Sequence, residues 1–363
     1  MQKVVESVTA GQPDKMCDQI ADAIVDEYIR RDPKSRIDLN VMGSNGMLMI
    51  GGQVNAKADF DIGALAQKVY LKIGYQDQIE VFVNVDDQTE EMKNAGNGSH
   101  DLVSVSGYAT AQTRELMPRS VVYAHQIART LDNLRRANPS FDWLRPDGKV
   151  QLVMEGDRIV AVTVLASHHV TVTTKHVREQ LLKEMIEPLV QEDGVQIFIN
   201  PIGEFTECGF RADSGATGRK LNVDTYGGLI PCGDGAMSGK DPMKAERCGA
   251  YMARHAARYL VKKGLCSAAM VNIAYTLGRS EPVLVQATGM GMKSRGSKMD
   301  LTNVIKQEFD FRPEAIVERL NLQQPLYELA ALYGHFGREE FPWEQLSVPV
   351  EATGMVQPAL EGV

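Results

Sequence analysis

One order of elements recurs along this chain, and that repeat limits its fold more than any single motif does. Residues 15–31 carry apolar positions at helical spacing, among them Ile20, Ala23, Ile24 and Tyr28. Strand-like runs 37–42 and 47–54 follow, joined by the turn-forming Gly43-Ser44-Asn45-Gly46. A helix-like stretch at 61–74 then leads to a strand at 79–85. The order repeats as helix 120–136, strands 150–155 and 159–166 across Gly156-Asp157, helix 175–190 and strand 195–199. A weaker third copy has helix 242–263, strands 268–276 and 282–287, and helical stretches at 300–308 and 313–320. Three such rounds predict an α+β fold of three similar units, each a sheet with helices on one face. Sheets covered on only one side tend to pack on one another or on another subunit. The units are placed at 1–98, 99–207 and 208–363.

Two segments break the pattern. Residues 86–102 are polar and rich in Gly and Asn, as a surface connection or mobile loop would be, and the tail from about 347 has little periodicity. Apolar residues at 44% are enough to build a substantial core, and a net charge of −8 argues against a nucleic-acid surface. No run of 18 apolar residues and no signal pattern at Met1 points to a membrane or to secretion, so a cytoplasmic protein is expected. Five scattered cysteines without CxxC spacing read as reduced thiols.

Small residues concentrate at 212–228 and 233–244, together with Arg219, Lys220, Lys240 and Lys244. Glycine lets backbone N–H groups approach phosphate and lysine neutralises it, though the spacing is not that of a P-loop, since Asp234 and Asp241 stand at two of its key positions. Near the N-terminus Asp14, Asp18 and Asp22 share one helical face. Spacing alone favours a solvated acidic face; the sharper reading makes Asp14 an Mg²⁺ ligand on a phosphate chain. The seven histidines lack ligand spacing.

Taken in order, the strings ESVTAGQPDK (6–15), GMLMIGGQV (46–54), SGYAT (106–110), WLRPDGK (143–149), INPIGEF (199–205), DSGATGRKLNVDTYGG (213–228), GAMSGKDPMKAER (235–247), YGHFGRE (333–339) and FPWE (341–344) resemble the S-adenosylmethionine synthetase (methionine adenosyltransferase) family. The resemblance implies three βαββαβ-like units around a pseudo-threefold axis, in a homodimer or homotetramer with active sites shared between subunits. It implies ATP and L-methionine as substrates, with tripolyphosphate then cleaved to pyrophosphate and phosphate, and two Mg²⁺ per site. By position, Gln12, Lys149, Arg219, Lys220 and Lys240 carry catalysis. Asp147, Glu204, Phe205, Asp213 and Ala236 complete the ATP contacts. Gln53, Gln88, Asp101, Asp213 and Lys244 fall to methionine, and Asp14, Glu246 and Asn40 to metals. Residues 86–102 correspond to a gating loop.

Several positions depart from the family pattern. Gln12 stands for a histidine that helps the leaving oxygen, a loss of about 2–4 kcal/mol of transition-state stabilisation. Gln53 replaces a glutamate for the methionine ammonium, Glu204 a basic residue, and Glu246 an aspartate. Asn40 replaces an acidic potassium ligand, which leaves the K⁺ requirement open. A slower synthetase ranks first. A relative with another nucleophile, an ATP or tripolyphosphate hydrolase and a non-catalytic subunit stay open. His100 is a candidate substitute for the missing histidine.

Overall fold

The computed structural model describes residues 2–93, 96, 98–291 and 300–346; the tail from 347 lies outside them. Among the described residues the strands are β1 (Gln2–Val8), β2 (Arg36–Ser44), β3 (Met47–Asn55), β4 (Glu80–Asp86), β5 (Val103–Thr110), β6 (Leu144–Glu155), β7 (Arg158–His168), β8 (Gln196–Ile199), β9 (Gly215–Ala216), β10 (Ala268–Tyr275) and β11 (Leu284–Met290). They form three sheets in the orders β4-β3-β2-β9, β1-β6-β7-β8 and β11-β10-β5. The α+β class and the three sheets agree with the repeat in the sequence.

Each sheet is completed by a strand from elsewhere in the chain. The opening strand β1 joins the middle sheet, β5 the last, and the short β9 returns to the first. The exchange is cyclic, and these three strands are the ones that sequence periodicity leaves unassigned. All three pair only with partners distant in sequence, so no local hairpin signal marks them.

The local predictions have simple causes. Asn45 and Gly46 both take positive φ (42° and 83°), the pair a tight β2–β3 hairpin needs. Helix Pro13–Arg31 begins with proline in its first turn and ends in Arg30 and Arg31, which suit the negative end of the helix dipole. The helix expected at 175–190 is broken into Thr174–Leu181, a wider-wound turn at Leu182–Ile186 and Glu187–Leu189. Pro188, with no N–H to donate, lies in the last piece. Helices Pro13–Arg31, Arg119–Ala137 and Ala245–Lys262 each pack on one sheet, and together with the inner sheet faces they make one continuous core.

Candidate active site

The first helix is the floor of the site. Gln12 caps it, its Oε1 accepting from the Lys15 N–H at 3.0 Å. Asp14, Asp18, Asp22 and Asp26 follow at four-residue intervals, and all four are buried, which overturns the solvated acidic face. Each accepts backbone N–H groups from a distant segment. Ala216 donates to Asp14 at 3.0 Å, Gly218 to Asp18 at 2.8 Å and Gly239 to Asp22 at 2.9 Å. Tyr327 and Glu328 donate to Asp26, both at 2.9 Å. Turn N–H groups packed away from water require acceptors, and the aspartates supply them. Lys15 pairs with Asp18 at 2.7 Å and with Asp224, and Arg247 pairs with Asp22.

Within the segments expected to cradle phosphate, the N–H groups of residues 216, 218 and 239 donate to these carboxylates. Gly239 is required by close approach, because a Cβ there would lie 2.1 Å from the Leu39 carbonyl oxygen, at a φ of +83°.

The cations of the site are each held by a carboxylate. Lys149 Nζ lies 2.7 Å from Glu6, Lys240 2.6 Å from Glu246 and Lys244 2.7 Å from Asp38. Lys220 and Arg219 both meet Asp14, the latter at 3.3 Å. Glu6, Lys149, Arg219 and Lys220 line a cavity of about 520 Å³. Burial raises the Asp14 carboxyl pKa, but the hydrogen bonds from Lys220, Ala216 and Gln12 outweigh it and hold the group below its usual value. Glu6 is lowered in the same way, burial being outweighed by Lys149 and Gln151. Both stay ionised at neutral pH and keep the cations paired.

Family models for the N-terminal, central and C-terminal domains of S-adenosylmethionine synthetase match residues 2–94, 96–205 and 208–345. The chain belongs to the S-adenosylmethionine synthetase family. An S-adenosylmethionine synthase of Sorangium cellulosum is 37% identical, over 99% of this chain and 91% of its own length. Relatives of the same name from Pseudothermotoga lettingae and Helicobacter pylori are each 38% identical, covering 95% and 94% of this chain and 96% and 94% of their own.

Other positions singled out for this synthetase-family chain are spread more widely. Ala236 packs on Gly218, where an added Cβ would come within 2.5 Å of it. Asp147 is buried and accepts from Gly209 N–H at 3.0 Å; burial and the nearby Asp213 charge push its pKa up to about 6. Asp213 is exposed, as is Glu204. Phe205 is held by its own N–H, which donates to His168 Nε2 at 3.2 Å. Asn40 lies exposed on β2 and Gln53 half-buried on β3. Gln88 is buried next to Asp87, and Asp101 is exposed beside Ser99, whose N–H donates to the Arg279 carbonyl at 2.9 Å. Among the described residues none of Gln88, His100 and Asp101 hydrogen-bonds to these cations; His100 Nε2 lies 3.1 Å from the Gly96 carbonyl.

For a divalent cation, the donor set fits at one point in particular. Glu246 is buried, with one carboxylate oxygen on Lys240 and the other, Oε2, without a hydrogen-bond partner among the described residues. Asp14 is ionised but already meets Gln12, Ala216, Arg219 and Lys220. Among the described residues no three His, Cys, Asp or Glu converge as a metal cage. Single carboxylates combined with substrate phosphate oxygens suit Mg²⁺. Sequence reasoning missed Glu6 and Asp38 as members of the site. Glu6 reaches Lys149 only because β1 pairs with β6, a contact that no local signal announces. The strings at 333–339 and 341–344 are structural: Glu344 is buried and holds Arg254 at 2.8 Å.

Proposed function

We infer that this chain makes S-adenosylmethionine from ATP and L-methionine in the cytoplasm, releasing pyrophosphate and phosphate. The observation that carries the reading is a set of five cations, Lys149, Arg219, Lys220, Lys240 and Lys244, each held by a carboxylate, with Lys149, Arg219 and Lys220 lining one cavity. Carboxylates keep the cations in position, and a polyphosphate, with more charge per group, replaces them as counter-ion. A thioether sulfur is a neutral nucleophile and needs no base to attack the ribose C5′. The costly event is departure of tripolyphosphate, so positioned positive charge dominates the rate.

In this reading Lys149, Arg219, Lys220 and Lys240 hold the phosphate chain, and Gln12 donates an uncharged hydrogen bond at the leaving oxygen. Phe205 and Ala236 pack the adenosine, with Glu204 beside them. Asp147 fixes the backbone at Gly209, next to Asp213. Glu246 and Asp14 hold Mg²⁺, two ions per site, which supplies further charge to the phosphates. Asn40 is the position at which a K⁺ requirement is tested. Lys244 and Gln53 take the methionine. Gln88 and Asp101 belong to the site of a second copy, in a homodimer or homotetramer. The exposed Met42, Met49 and Phe82 on the open face of the first sheet support such an assembly. The division 1–98, 99–207 and 208–363 is read as three units that lend their first strands onward.

Purified protein incubated with ATP, Mg²⁺ and methionine, with and without K⁺, is expected to yield a product of S-adenosylmethionine mass. Methionine-independent phosphate release without that product would select a hydrolase, and absence of ATP binding a non-catalytic subunit.

A further inference from the structure

The open face of the first sheet carries a row of polar residues that runs across four segments. Asp38 on β2 is the cross-strand partner of Gln53 on β3, which is in register with Asp86 on β4. On its other side Asp38 forms a backbone bridge with Lys240. Directly paired residues on neighbouring strands project from the same face. Ile37 and Leu39, which alternate with Asp38, are buried in the core, so the half-buried Asp38 and Gln53 lie on the opposite face of the sheet.

Lys244 joins this row through its ion pair with Asp38 at 2.7 Å. Its side chain is 5% exposed, whereas that of its partner Asp38 is 35% exposed. The two charges therefore differ in what they demand. Asp38 is the nearest counter-ion of this buried ammonium, with Asp241 and Glu246 also acting on it, so a group that displaces Asp38 is favoured when it brings a negative charge of its own to Lys244. The displaced Asp38, facing solvent, is then free to take a positive charge. A ligand with one charge satisfies half of this exchange; a zwitterion satisfies both halves.

We propose that Asp38 and Lys244 form a clamp for the α-ammonium and α-carboxylate of the amino-acid substrate, opening their mutual ion pair to receive them. This rests on the proposed synthetase reading and adds Asp38 as the residue that carries the ammonium. Gln53, beside Asp38 on the same face, adds neutral hydrogen bonds and no charge. The carboxylate that selects an α-amino acid thus comes from β2 in this chain, one strand away from Gln53.

The test is Asp38→Asn, assayed with methionine, des-amino methionine and ATP. The Michaelis constant for methionine is expected to rise roughly 10- to 100-fold, the usual worth of one hydrogen bond to a charged group, with that for ATP unchanged within about twofold. The preference for methionine over its des-amino analogue should be lost. The double variant Asp38→Asn, Gln53→Glu, which returns a carboxylate to the same face, should recover both. An unchanged methionine constant, or retained discrimination against the des-amino analogue, would overturn the proposal. If the wild-type protein makes no S-adenosylmethionine, the synthetase reading fails by itself. Calorimetric binding of methionine and of its des-amino analogue to wild type and Asp38→Asn then decides the clamp by the same criterion.

Discussion

Gln12 shows how one side chain can serve structure and chemistry at once. Its carbonyl caps the first helix and its amide donates to Asp14 at 3.2 Å. An amide in this place can donate to a leaving oxygen but brings no charge, whereas an imidazolium brings both. Gln12→His is therefore expected to raise kcat by about 10²-fold while costing about 1 kcal/mol of stability through the lost cap. Steady-state kinetics beside a denaturation curve separates the two effects. An unchanged kcat would mean that the lysines already supply the charge needed. The glutamines at 12 and 53 were legible in the sequence as departures from the family strings. That Asp38 stands next to Gln53 was not, because fourteen intervening residues hide a pairing that only the β2–β3 register creates.

At the scale of elements, the first helix organises the site by its aspartates. Four carboxylates at one-turn spacing fasten the segments at 216–218, at 239 and at 327–328 to a single rigid rod. Arg219, Lys220 and Lys240 stand directly beside residues anchored in this way, so their placement along the helix follows its pitch. The carboxylate of Asp22 has a second duty, since Arg247 is fully buried against it. Asp22→Ala removes the partner and leaves a buried guanidinium uncompensated. We expect a loss of about 3–5 kcal/mol, read as a lowered midpoint in urea, with weaker ATP binding as the Gly239 segment loosens. The i, i+4 spacing of these aspartates was plain in the sequence. Their burial was not, since the same spacing serves a solvated face equally well until the glycine-rich segments fold onto it.

For the molecule as a whole, the cyclic exchange of β1, β5 and β9 ties the three sheets together. No unit completes its own sheet, so none leaves its sheet edge closed when isolated. Deleting residues 2–8 should therefore injure the middle sheet, to which β1 belongs, more than the first. Hydrogen exchange should speed up at Leu144–Glu155, the strand that β1 covers, before it does at Met47–Asn55. Equal acceleration in both strands would mean that the sheets open as one cooperative body.

The sequence by itself determined the repeat, the hairpins, most helices and the family, because these rest on local periodicity, turn chemistry and contiguous strings. Three strands, the burial of the aspartate ladder and the partners of Lys149 and Lys244 were decided only by tertiary structure. Each depends on a pairing between residues far apart along the chain, and such pairings are chosen by the register and packing of the complete fold, which no window of sequence contains.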